Sequence, residues 1–203
     1  MNWYFLRHGQ INSNLNHVYS GRSDEPLNKV GIEQAKRAAQ LGALKSIDRV
    51  ISSPLARAGQ TATIIGSANG LKVKVNEAFN EMAFGPWEGL SEERIKQQYP
   101  LEWALWNSKP HKLILHGRET LEQLQTRVIH GMQHIEAEGM GSNILVVSHV
   151  AVIRVAILYA EGRPLSEYKT VAVDNCQLFP VQIGEQMLLA SHRLDRKIRE
   201  IVR

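Results

Sequence analysis

Trp3-Tyr4-Phe5-Leu6-Arg7-His8-Gly9, at the start of the chain, decides the reading of the fold. Four apolar residues run straight into an arginine, a histidine and a glycine. Such a run reads as a buried strand, and open α/β folds place their ligands at the carboxyl ends of strands. An arginine beside a histidine at that edge points to an anion held next to a nucleophile or base.

Working outward, residues 10 to 27 are polar and rich in Asn, Ser and Gly, which predicts an irregular loop over the sheet edge. Val30, Gln34, Ala35, Ala38 and Leu41 then form a helical stripe, with Gly42 near its end. Asp48 to Ser52 reads as a second strand. Ser53-Pro54 opens a helix with proline in its first turn, continuing from Ala56 to Ile65 toward Gly66. Leu71 to Val75 is a third strand near an edge. Residues 76 to 118 are less regular, with two short helical pieces, Ser91 to Gln98 and Leu101 to Asn107, and read as a cap insertion. Thr120 and Gln123 have capping-box spacing at the head of a long helix through Ile135.

Asn143 to Ser148 is almost wholly apolar, the pattern of a central strand covered on both faces, and it ends in His149 before a helix from Ala151 to Tyr159. Gln177 to Ile183 and Gln186 to Ala190, separated by Gly184-Glu185, predict a closing hairpin ahead of a charged, peripheral end. Strands alternating with helices predict an α/β fold: a three-layer α/β/α sandwich with a mostly parallel sheet and a small helical cap insertion. The expected organisation is one domain over residues 1–203, with the cap at 76–118.

Composition narrows the classes. At 203 residues, 43% hydrophobic and 22% charged, the chain has ordinary globular composition. No run approaches the ~20 apolar residues of a membrane span, and the first apolar segment is too short for a signal peptide. The single Cys176 lies in an apolar stretch, reading as a buried inert thiol in a reducing cytoplasm. The net charge of +4 is spread among acids without a basic run or aromatic interleaving, which disfavours nucleic acid and suits small anionic substrates.

Arg7-His8, Arg57, Glu81 and His149 lie in separate segments, each following a strand or at a strand-to-helix turn. One histidine at a strand end is more often a hydrogen-bonded structural residue; two that each end an apolar strand shift the balance. Arg57 alone would read as a snorkelling surface residue, Asn14 as a turn organiser, and Trp103 with Trp106 as core. Glu88 competes with Glu81 as a candidate acid. His17, His111 and His116 read as solvated loop residues near the mouth. No His or Cys pair has metal-ligand spacing.

Five blocks in order resemble the histidine phosphatase superfamily, also called phosphoglycerate mutase-like. They are Leu6-Arg7-His8-Gly9-Gln10 with Asn14; Gly21 and Asp24-Glu25-Pro26-Leu27 with Gly31-Ile32-Glu33-Gln34-Ala35; Ser52-Ser53-Pro54-Leu55-Ala56-Arg57-Ala58-Gly59-Gln60-Thr61-Ala62; Glu81 with Gly85-Pro86-Trp87-Glu88-Gly89; and Val147-Ser148-His149 with Ile153-Arg154. The resemblance implies a metal-free, cofactor-free hydrolysis of a small phosphorylated metabolite through phosphohistidine on His8, with Glu81 as proton donor and acceptor. Arg7, Arg57, His149 and Asn14 would hold the phosphoryl oxygens, with Gln10, Gly21, Arg22 and Val150 as further contacts. Family spacing favours Glu81 over Glu88. Departures are Val150-Ala151, where many relatives have glycine, and Ile11 in place of a frequent threonine.

Three functions are weighed. A phosphatase for small phosphomonoesters leads, with alpha-ribazole phosphatase among its specific forms. A 2,3-bisphosphoglycerate-dependent phosphoglycerate mutase shares the residues, but the stretch between Glu81 and His149 is short for one. A non-catalytic phospho-ligand-binding module ranks below both, because no catalytic residue type is missing. Oligomeric state is not readable.

Overall fold

The computed structural model describes residues 1–139 and 141–182. Among the described residues five strands form one sheet: β1 (Asn2–Arg7), β2 (Arg49–Ser52), β3 (Val73–Val75), β4 (Asn143–Ser148) and β5 (Leu178–Val181), in the order β3-β2-β4-β1-β5. The first four are mutually parallel and β5 runs antiparallel along β1, so the expected mostly parallel sheet is present. β5 is the first half of the expected hairpin; its second half, Gln186 to Ala190, lies outside the described residues.

Alternation along the strands creates two faces. Trp3, Phe5, Ile144 and Val146 point to one core, which α6 (Leu121–Ala137) and α7 (Val150–Ala160) cover. Leu6, Val50, Leu145 and Val147 point to the other, closed by α2 (Lys29–Ala38) and α3 (Ala56–Ala68). The result is the three-layer α/β/α sandwich. β4, buried from Ile144 to Ser148, is the central strand that its apolar run predicts.

Several boundaries differ from expectation. The 10–27 loop contains one helical turn, α1 (Asn12–Leu15), because the Asn14 side chain accepts from the Ile11 N–H at 3.2 Å. α2 stops at Ala38, before Leu41 and Gly42, and a 3-10 turn follows. α3 begins at Ala56 rather than at Ser53-Pro54, since Leu55 is still extended, and it runs through Gly66 to Ala68. The Thr120 and Gln123 capping box forms as predicted.

Residues 76–118 hold α4 (Glu92–Gln98), α5 (Pro100–Ser108) and short 3-10 turns. Trp87, Tyr99, Trp103 and Trp106 pack there against Tyr19 and Tyr168 from outside the segment. Trp106 is core, as expected, and Trp103 is partly buried against it. Cys176 is only partly buried and sits at φ 56°; burial still pushes its thiol up to about 12, so it is inert. No helix among the described residues is long and apolar enough to cross a membrane.

The strand register sets up the site. Arg7 lies opposite Ser148 and Ser52 opposite Val147, so three strands end on one line. The His8 N–H continues the ladder to the Ser148 carbonyl at 3.0 Å, and Ser53 N–H to Val147 at 3.0 Å. Beyond that line the chain turns where two glycines meet: a Cβ on Gly9 would stand 2.4 Å from the Gly31 carbonyl oxygen. Gly9→Ala is therefore expected to cost about 1–3 kcal/mol through overpacking, measured as a lowered thermal midpoint together with a loss of activity as His8 shifts.

Candidate active site

The carboxyl ends of β1, β2 and β4 open into a cavity of about 560 Å³, lined among others by Arg7, His8, Gln10, Asn14, Glu81 and Val150. His8 and His149 end adjacent strands, and their rings lie 5.2 Å apart. Nδ1 of His8 is 2.7 Å from the Gly9 carbonyl oxygen. A carbonyl can only accept, so Nδ1 carries the proton and Nε2 keeps its lone pair. Burial, reinforced by Arg57 and Arg7, holds the His8 imidazole well below its usual range, which keeps it neutral.

Around that ring Arg7 lines the cavity, whereas Arg57 and His149, both fully buried, do not; the charges of Arg57 and Arg7 act on His8 from beside it. Arg57 is wholly buried; Nη1 donates to the Ser23 carbonyl and Nη2 to the Gly21 carbonyl, each at 2.7 Å. Arg7 donates through Nη1 to Val173 at 2.8 Å. His149 has Nε2 2.7 Å from the Ser53 hydroxyl. These bonds fix each group while leaving Arg7 Nε, Arg57 Nε and His149 Nδ1 buried with no hydrogen-bond partner among the described residues. An unpaired buried polar group costs about 1–3 kcal/mol. Burial and then Arg57 hold the His149 imidazole well below its usual range, which keeps it neutral in the free protein.

Glu81 is 7% exposed, and burial raises its carboxyl above the usual range against the pull of Met82 N–H, Arg57, Arg127 and Arg7. One carboxylate oxygen accepts from the Met82 N–H at 2.8 Å. Glu88, the competing acid, is absent from the cavity lining and accepts instead from the Phe84 N–H at 3.0 Å and the Arg22 N–H at 3.4 Å. Asn14 both organises its turn and faces the cavity, with Oδ1 committed to Ile11 and Asn175. Gln10 faces the cavity as expected, and so does Val150, the first residue of α7. The N–H groups of a first helical turn have no partner within the helix and favour anions.

Two expectations need correction. Gly21 does not line the cavity; it is left-handed at φ +49°, packs against Glu88 and gives its carbonyl to Arg57. Arg22 is likewise outside the lining, because its Nε donates to the Glu81 carbonyl at 3.1 Å and its Nη2 lies 3.6 Å from Glu119. Both act on the residues behind the wall. Of the loop histidines, His17 lines the cavity, His111 is half-buried and His116 exposed.

Other contributors carry no motif in the sequence. Asn175, brought in by the β1 and β5 pairing, donates to the His8 carbonyl at 2.9 Å. Glu119 grips Arg127 at two points, 2.6 and 2.9 Å, and Arg127 in turn donates to the Ala78 and Glu81 carbonyls. Glu119 thereby fixes the loop that carries Glu81 through two arginines, Arg127 and Arg22, that both donate to the Glu81 carbonyl. Glu119→Gln is expected to lower kcat about tenfold to a hundredfold, as misplacement of a reacting group does, with little change in KM.

The comparisons with known proteins agree with this geometry. The family model of the histidine phosphatase superfamily (branch 1) matches residues 3–193. The chain belongs to that superfamily. It is 33% identical over 165 residues to the adenosylcobalamin/alpha-ribazole phosphatase of Escherichia coli, covering 81% of each chain. It is 29% identical over 181 residues to phosphoserine phosphatase 1 of Hydrogenobacter thermophilus, covering 89% of this chain and 86% of the relative. Among solved structures, the alpha-ribazole phosphatase from Shigella flexneri superposes with a TM-score of 0.81 at 29% identity, over 91% of this chain and 92% of that one. A histidine phosphatase fold is thus shared along nearly the whole chain.

Proposed function

We propose that this histidine phosphatase hydrolyses small phosphomonoesters through a phosphohistidine on His8. The observation that carries the reading is the pair of buried guanidinium N–H donors, Arg7 Nε and Arg57 Nε, unpartnered among the described residues together with His149 Nδ1, beside an imidazole whose other nitrogen is fixed. A phosphoryl group offers oxygens that satisfy such donors, and phosphoryl transfer depends on positioning and charge stabilisation about an in-line nucleophile.

In the first step His8 Nε2 forms a bond to phosphorus while the bond to the leaving oxygen breaks, and protonated Glu81 gives its proton to that oxygen. In the second, the Glu81 carboxylate takes a proton from water, the resulting oxygen attacks phosphorus, and the P–N bond breaks to return neutral His8. Arg7 and Arg57 offset the charge on the equatorial oxygens with forked donors. His149, Asn14 Nδ2 and the N–H at the head of α7 complete the cradle, and Gln10 borders it. Residues 76–118 serve as the cap that closes over the bound ester, and the one free cysteine suits a reducing cytoplasm.

Arginine charge does the work that a metal does in other phosphatases, so hydrolysis of 4-nitrophenyl phosphate should persist in excess chelator. No turnover of that ester by the purified chain would overturn the proposal. Interconversion of 2- and 3-phosphoglycerate dependent on 2,3-bisphosphoglycerate, faster than hydrolysis, would favour the mutase reading instead. Phosphoserine and alpha-ribazole phosphate, named by relatives, are the first physiological esters to try.

A further inference from the structure

Beyond the phosphoryl cradle, the cavity wall carries a second group of charges that the proposed chemistry does not use. Arg154, on α7, and Lys169, in the 3-10 turn Leu165–Thr170, both line it. Arg154 is held in place: Nε donates to the Val171 carbonyl at 2.9 Å, its side chain hydrogen-bonds to that of Tyr168, and the guanidinium carbon lies 5.0 Å from the centre of the Tyr168 ring. A guanidinium has five donors, more than these contacts engage. Lys169 donates from Nζ to the side-chain oxygen Oδ1 of Asn107 at 2.5 Å and sits 4.9 Å from the centre of the Trp106 ring. Arg118 stands behind that ring, 4.2 Å from its centre, 6% exposed and bonded to no carboxylate among the described residues.

Three cations therefore gather along this wall, and the nearby carboxylate in the lining is Glu92, 4.0 Å from Lys96. Burial first, then Arg154, pushes Lys169 down to about 8 against the opposing pull of Glu92, with Arg118 adding to the repulsion. An ammonium held under those conditions gains from an anion brought against it.

Beside Arg154 and Lys169, Trp106 and Tyr168 do not offer a stacking platform; Tyr19 and Phe84 line the cavity as well. Trp106 and Tyr168 are each 2% exposed, and Trp106 already has Arg118 and Lys169 over its ring. What the outer wall presents to a ligand is donors and positive charge.

We propose that Arg154 and Lys169 form a subsite for a second anionic group, a carboxylate or a second phosphate, on the alcohol that leaves. This rests on the phosphatase reading and narrows it: the substrate is a small phosphomonoester bearing another negative charge, rather than one whose leaving group is a flat aromatic base.

The test compares kcat/KM within matched pairs. Phosphoglycolate against 2-hydroxyethyl phosphate isolates a carboxylate, fructose 1,6-bisphosphate against fructose 1-phosphate isolates a second phosphate, and alpha-ribazole phosphate represents a flat base. The anionic member of one pair is expected to lead by about tenfold to a hundredfold, the range of hydrogen bonds to charged groups, and the leading pair names the anion. Lys169→Met and, separately, Arg154→Gln should each shrink that ratio, mainly through KM. Lys169 is only half-buried, so its variant keeps the test open if the Arg154 variant fails to fold. A ratio near one in the wild type, a ratio that Lys169→Met leaves unchanged, or preference for alpha-ribazole phosphate would overturn this inference while leaving the phosphatase reading intact. Absence of hydrolysis of every ester, 4-nitrophenyl phosphate included, would remove both.

Discussion

His8→Ala is expected to lower kcat on 4-nitrophenyl phosphate by about 10⁴-fold or more, the scale of loss when a covalent nucleophile is removed. No neighbour can take over. His149 is the nearest imidazole, but its Nε2 is committed to Ser53 and its ring is fixed at the head of α7, 5.2 Å from His8 centre to centre. A substrate labelled at phosphorus should leave an acid-labile, base-stable label on the wild-type chain after a rapid quench, and none on the variant. Comparable rates in the two proteins, or a label that survives the substitution, would displace His8 from the centre of the chemistry.

Glu81→Gln carries the second large effect, a loss of about 10²–10⁴-fold on alkyl phosphates, the usual contribution of a positioned proton donor. Nitrophenolate leaves without help, so formation of phosphohistidine from the aryl ester should be affected much less, and the intermediate should accumulate as its hydrolysis slows. The variant thus separates the two steps. The pH profile follows from the same groups. His8 lies well below its usual 6.5, so activity should rise with pH as its lone pair becomes available. Glu81 lies above its usual 4.5, so activity on alkyl esters should fall again as its proton is lost. Glutamine cannot ionise, and Glu81→Gln should flatten that descending limb. A descending limb unchanged in the variant would move the acid role elsewhere.

The sequence revealed those parts of the fold where a strong local pattern coincides with burial. The apolar runs at Trp3–Leu6 and Asn143–Ser148 become adjacent core strands, and the residues that end them, His8 and His149, meet because parallel pairing aligns Arg7 with Ser148. Helix starts were less legible: Pro54 suits a first turn, yet the extended Leu55 delays α3 to Ala56. Arg22 illustrates a different limit. Its place near the phosphate loop was readable, but its direction was set by Glu81 and Glu119, which are distant in sequence. Asn175 and Lys169 were hidden for the same reason, since their approach to the cavity depends on how β5 and the turn after α7 pack rather than on any spacing; Arg154 stood in the fifth block, but nothing there said that it faces the cavity.

The position of β4 between β1 and β2 bears on how the molecule is made. Residues 2–7 and 49–52 leave the ribosome early, yet neither strand touches the other; each waits for residues 143–148 to fill the gap between them. Until then both offer unpaired edges, the surfaces that promote aggregation. Pairing over such separations makes folding slow. A nascent chain halted before residue 143 holds the nucleophile without its cradle, so activity arises only once the last parallel strand has been inserted.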